Sequence, residues 1–337
     1  MRSRYQARFV AALSLVTLAV STWNLRCLEI DLFSGAKKSD CKQTCSCFHA
    51  ESDETGFTPR VSVRKYILLT TQRSGSTWVC QLLDIQRGIT CGVKGLSEML
   101  IGYSGILKNK TIDLAWNQYE NDFLSAMQAV QSAALDEQKN KATSYVAVGF
   151  KLMYDQIPYQ FIDNFIALIH AEKIVVLHLD RAATVLTLAS KYNNGNQILS
   201  LGKMHSTNVS EIQLYRNTER MPWTNGTIET IISKEKEKAA WERTLRLSDK
   251  AIPVHYFMYE ALIWTKKIQM KQVMSFLMPE IHLELEDILE NTTLLQLHEP
   301  LCSERIEDYA SLREHPIYRD TYSAMACKLL EQRREAG

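Results

Sequence analysis

Between positions 72 and 78 the chain carries residue types suited to binding an anion. Gly75 lacks a Cβ atom, so backbone N–H groups can close around a phosphate or sulfate group. Ser74, Ser76 and Thr77 add hydroxyl donors, and Arg73 adds a guanidinium charge that does not titrate. The pattern predicts a phosphate-binding loop.

Such a loop needs a strand before it and a helix after it. Residues 63–69 form an apolar run typical of a buried strand, and Ser76 or Thr77 can cap a following helix. Apolar residues recur in that helix at helical spacing, at Trp78, Val79, Leu82 and Leu83. The N-terminus of this helix would direct free N–H groups and a partial positive charge at the anion.

The loop differs from the nucleoside triphosphate pattern GxxxxGK[ST], because no Lys follows Gly75. The run QRSGSTW instead resembles the 5′-phosphosulfate loop of Golgi-type membrane sulfotransferases, which use 3′-phosphoadenosine 5′-phosphosulfate as donor. The resemblance extends from Leu82 to Gly92. It implies a carbohydrate acceptor and no metal, with Arg73 acting on the leaving phosphate. The donor-binding residues it implies here are Gln72, Arg73, Ser74, Gly75, Ser76, Thr77 and Trp78.

A second segment, IVVLHLDRAATVLTLASKY at 174–192, resembles the 3′-phosphate site of the same family. The resemblance assigns that contact to Arg181 and Ser190, with Thr187 as a second hydroxyl. A fixed guanidinium suits a phosphate dianion. The alternative is a surface ion pair between Asp180 and Arg181 at the start of a helix.

Glu98 is the candidate general base, because GLSE at 95–98 is similar to a G-x-x-E element of related Golgi enzymes. The alternative is an ordinary carboxylate at a helix start. GFKLM at 149–153 also resembles the family, and Lys151 can be structural or functional. We interpret Tyr259 and Glu260 as a strand-to-helix corner that organises the nucleotide site from behind. His178, inside an apolar strand, is expected to be a core histidine.

Strand-like and helix-like segments alternate along the rest of the chain. Further strands are predicted at 145–151, 173–179 and 253–258, and helices at 116–135, 158–170, 182–192, 227–249 and 263–277. Alternation of this kind predicts an α/β fold, a P-loop-like and mostly parallel sheet with helices on both faces. The resemblance implies that this is the sulfotransferase fold.

The N-terminus predicts a membrane anchor. Three arginines precede residues 9–25, which carry no charge, so we expect residues 1–8 in the cytosol and the rest in the lumen. Residues 26–60 would form a stem and 61–337 the catalytic domain, a single-pass type II arrangement in the Golgi membrane. The alternative is a signal peptide cleaved after position 21.

An oxidising lumen favours disulfides over zinc. Pairing is expected among Cys41, Cys45, Cys47, Cys91, Cys302 and Cys327, with Cys80 as a buried thiol. Sequons at Asn109, Asn208, Asn225 and Asn291 suit a glycoprotein. The net charge of +1 excludes a strong nucleic-acid-binding field.

Three functions are therefore compared. The first is a sulfotransferase that acts on a glycan, glycolipid or glycoprotein, with the membrane as a partner through its anchor and with a homodimer left open. The second is a nucleotide-dependent kinase or hydrolase, which the missing Lys and the lumenal address disfavour. The third is a catalytically silent lumenal binding protein that keeps the fold.

Overall fold

The computed structural model describes most of the region beyond residue 60. The described ranges are 61–72, 74–93, 97–100, 112–138, 145–201, 220–248, 252–279 and 301–336. They belong to the second of two compact units in the chain, Thr58–Gly337. Several predicted features lie outside these ranges: the anchor, the stem, Arg73 and the three sequons at Asn109, Asn208 and Asn291. Asn225 lies inside them and is exposed.

A five-stranded parallel sheet forms the centre of this unit. Its strands are β1 (Ser62–Thr70), β2 (Ile89–Cys91), β3 (Tyr145–Met153), β4 (Val175–Asp180) and β5 (Val254–Met258), in the order β2-β3-β1-β4-β5. All four strand pairings are parallel. Thr70 pairs with both Met153 and Leu179, so the carboxyl ends of β1, β3 and β4 meet at one edge of the sheet.

Ten α-helices lie within the described ranges. They are α1 (Ser76–Asp84), α2 (Ile112–Gln138), α3 (Ile162–Ala171), α4 (Thr184–Leu201), α5 (Asn225–Leu247), α6 (Tyr259–Trp264), α7 (Lys266–Leu277), α8 (Cys302–Arg305), α9 (Tyr309–Glu314) and α10 (Tyr322–Ala336). Short 3₁₀ turns cover Tyr154–Gln156, Tyr159–Phe161 and Tyr318–Asp320. None of these described helices has the length and apolarity needed to cross a membrane.

Two apolar clusters cover the two faces of the sheet. Phe123 of α2, Phe165 of α3 and Trp241 of α5 pack on one face. Leu82 of α1 and Met274 of α7 pack on the other face. A third cluster joins α4 to helices α8–α10. The predicted α/β class, a parallel sheet flanked by helices on both faces, is confirmed.

Two local expectations need correction, and one strand was missed. Neither Ser76 nor Thr77 caps α1, because the helix begins at Ser76 and Gly75 occupies the cap position in a left-handed conformation. The short strand β2 was not predicted, since three residues give too little periodicity to detect. The helix expected at 263–277 is interrupted at Thr265, which separates α6 from α7.

Two disulfides lie within the described residues. Cys302 pairs with Cys327, two members of the predicted set. Cys91 pairs with Cys80, so the expectation of a buried free thiol at Cys80 is wrong. Helix α1 and strand β2 follow one another and pack together, which brings these two sulfur atoms into contact. Cys27, Cys41, Cys45 and Cys47 lie outside the described ranges.

Candidate functional site

The loop between β1 and α1 has the backbone geometry of an anion cradle. Gly75 has φ 85° and ψ 9°, a left-handed conformation that favours glycine. Its carbonyl accepts the first helical hydrogen bond from the N–H of Val79 at 3.1 Å. The N–H groups of Ser76, Thr77 and Trp78 precede that bond, so they are left for another acceptor. Together with the helix dipole they can bind an anion.

The start of the loop is tied to the neighbouring strand ends. The Thr70 hydroxyl lies 2.5 Å from the Ser74 hydroxyl and donates to the carbonyl oxygen of Leu179 at 2.9 Å. Gln72 is exposed, and its Nε2 donates to Asp155 Oδ2 at 2.8 Å. The hydroxyl of Ser74 is thus held against β1 and β4, while Gln72 joins the loop to the turn after β3.

Tyr259 connects the loop with the second predicted segment. A Cβ atom on Gly75 would lie 2.1 Å from Cε2 of Tyr259, so only glycine allows the ring to pack against the loop. The ring of Trp78 meets the same ring edge-on at 5.8 Å. The guanidinium of Arg181 lies 4.9 Å from the centroid of the Tyr259 ring. Gly75 and Arg181 are therefore neighbours of one aromatic side chain.

Distant residues hold the turn between β4 and α4. The buried carboxylate of Glu260 accepts hydrogen bonds from the backbone N–H groups of Ala182 at 3.1 Å and Ala183 at 2.9 Å. The interpretation of Tyr259 and Glu260 as an organising corner is consistent with these contacts. Since these two N–H groups directly follow Arg181 in the chain, Glu260 also fixes the backbone position from which the Arg181 side chain extends.

Lys238 of α5 holds the same turn from the other side. Its buried ammonium group donates to the carbonyl oxygen of Arg181 at 2.5 Å and to the Thr184 hydroxyl at 3.1 Å. It also pairs with Asp180 at 2.7 Å. The ion-pair partner of Asp180 is therefore Lys238. The alternative, a surface ion pair between Asp180 and Arg181, is not among the ion pairs of the described residues.

Arg305, on α8, is a second guanidinium whose pKa is affected by the charge of Arg181. Burial lowers the pKa of Arg305, Glu304 raises it, and the positive charge of Arg181 lowers it again. The disulfide between Cys302 and Cys327 anchors the short helix that carries Arg305.

Glu98 lies beside the loop and has contacts at both carboxylate oxygens. Its Oε1 accepts a hydrogen bond from Gln156 Nε2 at 2.6 Å, and its Oε2 lies 3.1 Å from Lys151 Nζ. Lys151 is buried and also donates to the Thr77 hydroxyl at 3.1 Å. Glu98 forms a β-bridge with Lys151, so it does not stand at a helix start as the alternative required.

The hydroxyls predicted on α4 differ in their surroundings. Ser190 is half-buried on this helix. Thr187 Oγ1 is buried and has no hydrogen-bond partner among the described residues. Ser74 and Ser76 are buried, whereas Gly75, Thr77 and Trp78 are partly exposed at the loop.

The histidines near the site are held in their neutral form. Burial lowers the pKa of His178 to about 4, the charge of Asp180 raises it, and Lys238 and Arg246 lower it. Nε2 of His178 lies 2.5 Å from the Tyr154 hydroxyl. Burial likewise lowers the pKa of His255 to about 4. The buried position of His178 agrees with a core histidine, whereas His255 is half-buried.

Sequence reasoning did not identify four contributors to the site: Gln156, Lys238, Asp155 and Arg305. Lys238 lies in a helix rich in Lys and Glu, where no spacing sets it apart from solvated neighbours. Arg305 follows a stretch without periodicity. Gln156 and Asp155 follow a predicted strand end, which is the only signal that could have found them.

Neither a protein family model nor a curated protein sequence matches the chain. Solved structures that resemble it include two sulfotransferases. One is the sulfotransferase domain from the Synechococcus PCC 7002 olefin synthase, with 11% identity and a TM-score of 0.34, covering 83% of this chain and 98% of that one. The other is mouse sulfotransferase SULT7A1 complexed with PAP, with 11% identity and a TM-score of 0.35, covering 81% and 89%. At these values the likeness carries no conclusion about function.

Proposed function

We propose that this protein is a sulfotransferase that moves the sulfuryl group of 3′-phosphoadenosine 5′-phosphosulfate to a carbohydrate hydroxyl. One observation carries the proposal. Gly75 and Arg181 belong to segments that resemble the 5′ and 3′ parts of one donor site, and both contact the ring of Tyr259. Two separately predicted halves of a nucleotide site thus lie beside one side chain.

The residues present fit such a donor. The left-handed Gly75 and the N-terminal amides of α1 suit the 5′ end, where Arg73 is also expected. Arg181 suits the 3′-phosphate, because a guanidinium that does not titrate pairs with a dianion, and Arg305 on α8 is a second candidate for that contact. Ser190 would add a hydroxyl donor from α4.

In the proposed reaction the acceptor oxygen forms a bond to sulfur, and the bond between sulfur and the bridging phosphate oxygen breaks. Glu98 accepts the proton of the acceptor hydroxyl, and the bonding electron pair leaves with the phosphate. Arg73 stabilises the negative charge that develops there. 3′,5′-Bisphosphoadenosine and a sulfated acceptor are the products.

Gln156 and Lys151 would support Glu98 in this role. A base must be oriented, and Gln156 holds one carboxylate oxygen while Lys151 holds the other. Since Lys151 also contacts Thr77, a movement of the loop upon donor binding would change the position of Lys151 and, through it, of Glu98.

The proposal includes a location in the Golgi membrane, with residues 9–25 as the anchor and the catalytic domain in the lumen. Three sequence features support this location: basic residues before an uncharged run, sequons beyond it, and cysteines suited to disulfides. The exposed position of Asn225 suits glycan attachment.

The function can be tested with the full-length protein purified in detergent from secretory cells. We expect transfer of ³⁵S-labelled sulfuryl groups from the donor to members of a glycan panel. Glu98→Gln should keep donor affinity and lose about 10²–10⁴-fold in turnover. Glu229→Gln, on the exposed face of α5, is the matched control and should behave as wild type.

Other outcomes would select the alternatives. Donor binding without transfer to any acceptor would indicate a silent binding protein. Binding and cleavage of ATP with Mg²⁺, without binding of the sulfated donor, would indicate a kinase or hydrolase. Unchanged turnover in Glu98→Gln would remove Glu98 as the base.

A further inference from the structure

A small cleft lies beside the loop on the side of the turn Tyr154–Gln156. It has a volume of about 100 Å³, and helices α4 and α5 form its walls. Thr71 and Gln72 line it at the end of β1, and Thr187 lines it from α4. About three water-sized groups fit into this volume, which is enough for a hydroxymethyl group or the edge of a sugar ring.

Two buried hydroxyl groups in this cleft lack a protein partner. Thr71 is only 6% exposed, and its Oγ1 has no hydrogen-bond partner among the described residues. The same holds for Oγ1 of Thr187. Buried hydroxyls in native proteins are nearly always hydrogen-bonded. Two residues that line one cleft therefore each carry a hydroxyl group that still needs a hydrogen-bond partner.

The charges around the cleft favour a neutral ligand. Lys238 pairs with Asp180 at 2.7 Å, and Lys234 pairs with Glu237 at 2.6 Å. These two lysines are thus already paired with carboxylates, and the remaining charged residues of the lining are one lysine, Lys191, and one aspartate, Asp155. Unpartnered threonine hydroxyls can donate to or accept from the hydroxyl groups of a ligand.

The turn Tyr154–Gln156 connects the cleft with the candidate base. Asp155 lines the cleft and holds Gln72, while the next residue, Gln156, donates to Glu98. The wall of the cleft at Asp155 is thus one residue away from the side chain that holds the candidate base.

We infer that this cleft is the acceptor subsite and that it takes a neutral polyol, the hydroxyl-bearing edge of a sugar. Thr71 and Thr187 bind hydroxyl groups of that sugar, which brings another of its hydroxyls towards Glu98. The inference rests on the proposed function, because it concerns the acceptor of that reaction. It also assigns Thr187 to the acceptor and leaves Ser190 to the donor.

Isosteric variants of the full-length protein test the inference. Thr71→Val and Thr187→Val remove the unpartnered hydroxyls and keep the shape of the side chains. Thr230→Val is the matched control, because Thr230 lines the same cleft but donates to the carbonyl oxygen of Gly226 at 2.7 Å. The probes are methyl β-D-galactopyranoside and methyl N-acetyl-β-D-glucosaminide, observed by saturation-transfer NMR without donor.

We expect at least one glycoside to bind the wild type and Thr230→Val, with about tenfold weaker binding in Thr71→Val and Thr187→Val. The melting temperature without ligand gives a second readout. Removing an unpartnered buried hydroxyl should raise it by about 2–4 °C in Thr71→Val, but not in Thr230→Val.

Three results would overturn the inference. They are absence of glycoside binding to the wild type, equal behaviour of the three variants, and weaker binding of 3′,5′-bisphosphoadenosine in Thr187→Val with glycoside binding unchanged. The last would return Thr187 to the 3′-phosphate. The same samples separate the two proposals: intact glycoside binding with no binding of the bisphosphate would reject the donor site and leave the cleft in place.

Discussion

Two corners at the same edge of the sheet are built in opposite ways. The corner between β1 and α1 draws its anion-binding groups from consecutive residues around Gly75. The corner between β4 and α4 depends on remote ones, since Lys238 is 57 positions from Arg181 and Glu260 is 78 positions from Ala182. The first corner is therefore a local motif and the second a product of the packing of α5 and α6 against the sheet.

This difference predicts where each corner is vulnerable. Substitutions in the first should affect binding and turnover while the protein stays folded. Substitutions that support the second should lower stability and donor affinity together, because the same contacts hold the fold and position Arg181.

The largest effect is expected from Arg73→Ala in the first corner. The loop amides can still bind phosphate, but the fixed charge at the bridging oxygen is lost, so turnover should fall about 10²-fold or more. The measurement is the sulfuryl-transfer rate together with the melting temperature. Arg87→Ala, at an exposed position after α1, is the control. Turnover near the wild-type value would remove Arg73 from the mechanism.

Acid should act through the second corner. The folded-state pKa of His178 is about 4, below the unfolded value of 6.5, because burial disfavours the charged form. Its contribution to stability is therefore present above pH 6.5 and is lost as the pH falls through about 4. The shift corresponds to about 3 kcal/mol.

The measurement is the free energy of unfolding from denaturant titrations at several pH values between 7 and 4. His178→Gln should lose less stability over this interval than the wild type. His170→Gln, at the exposed end of α3, should follow the wild-type curve. Parallel curves for all three proteins would show that His178 does not titrate as described.

A smaller effect is expected for Glu260→Gln. A glutamine side chain has one acceptor oxygen and no charge, so it cannot accept from the N–H groups of both Ala182 and Ala183. The free energy of unfolding should therefore fall by about 2 kcal/mol. Affinity for 3′,5′-bisphosphoadenosine should fall as well, because Arg181 follows the displaced turn.

Glu235→Gln provides a matched control for this variant. Glu235, on α5, also accepts from two backbone N–H groups at the start of α10, those of Tyr322 at 3.2 Å and Ser323 at 2.8 Å, but it is more exposed than Glu260. We expect a loss below about 1 kcal/mol and unchanged bisphosphate affinity. Equal effects of the two substitutions would show that Glu260 has no special role at the second corner.

The smallest effect is expected for Ser190→Ala. Loss of one hydroxyl contact to a phosphate should weaken donor binding by about 1.5 kcal/mol, or about tenfold, and should reduce discrimination between donors with and without the 3′-phosphate. Isothermal titration with 3′,5′-bisphosphoadenosine and with adenosine 5′-phosphate measures both. A silent Ser190→Ala with a weakened Thr187→Ala would show that the register on α4 is wrong.

Much of the fold followed from the sequence, because strands and helices depend on the periodicity of apolar residues near one another in the chain. The strand ending at Thr70 and the helix that follows it are examples. The Gly75 loop was recognisable for the same reason. Cys80 shows the limit: its apolar helical position suggested a thiol, and only the packing of β2 against α1 brings Cys91 to it.

Glu98 illustrates the same limit at the site. Its position could be proposed from a local resemblance, but its partners follow from chain segments brought alongside it: Lys151 through a β-bridge and Gln156 through the turn after β3. No spacing in the sequence relates these three residues.

The class of fold, the phosphate-binding loop and the strand end that carries Arg181 are encoded in short stretches of residues, since backbone conformation and hydropathy patterns act over a few positions. The neighbours of Arg181, in contrast, come from distant parts of the chain. Lys238 and Tyr259 reach Arg181 because parallel strand order and helix packing bring distant segments to one sheet edge. Contacts over such separations depend on the global arrangement of the chain, which local residue patterns do not record.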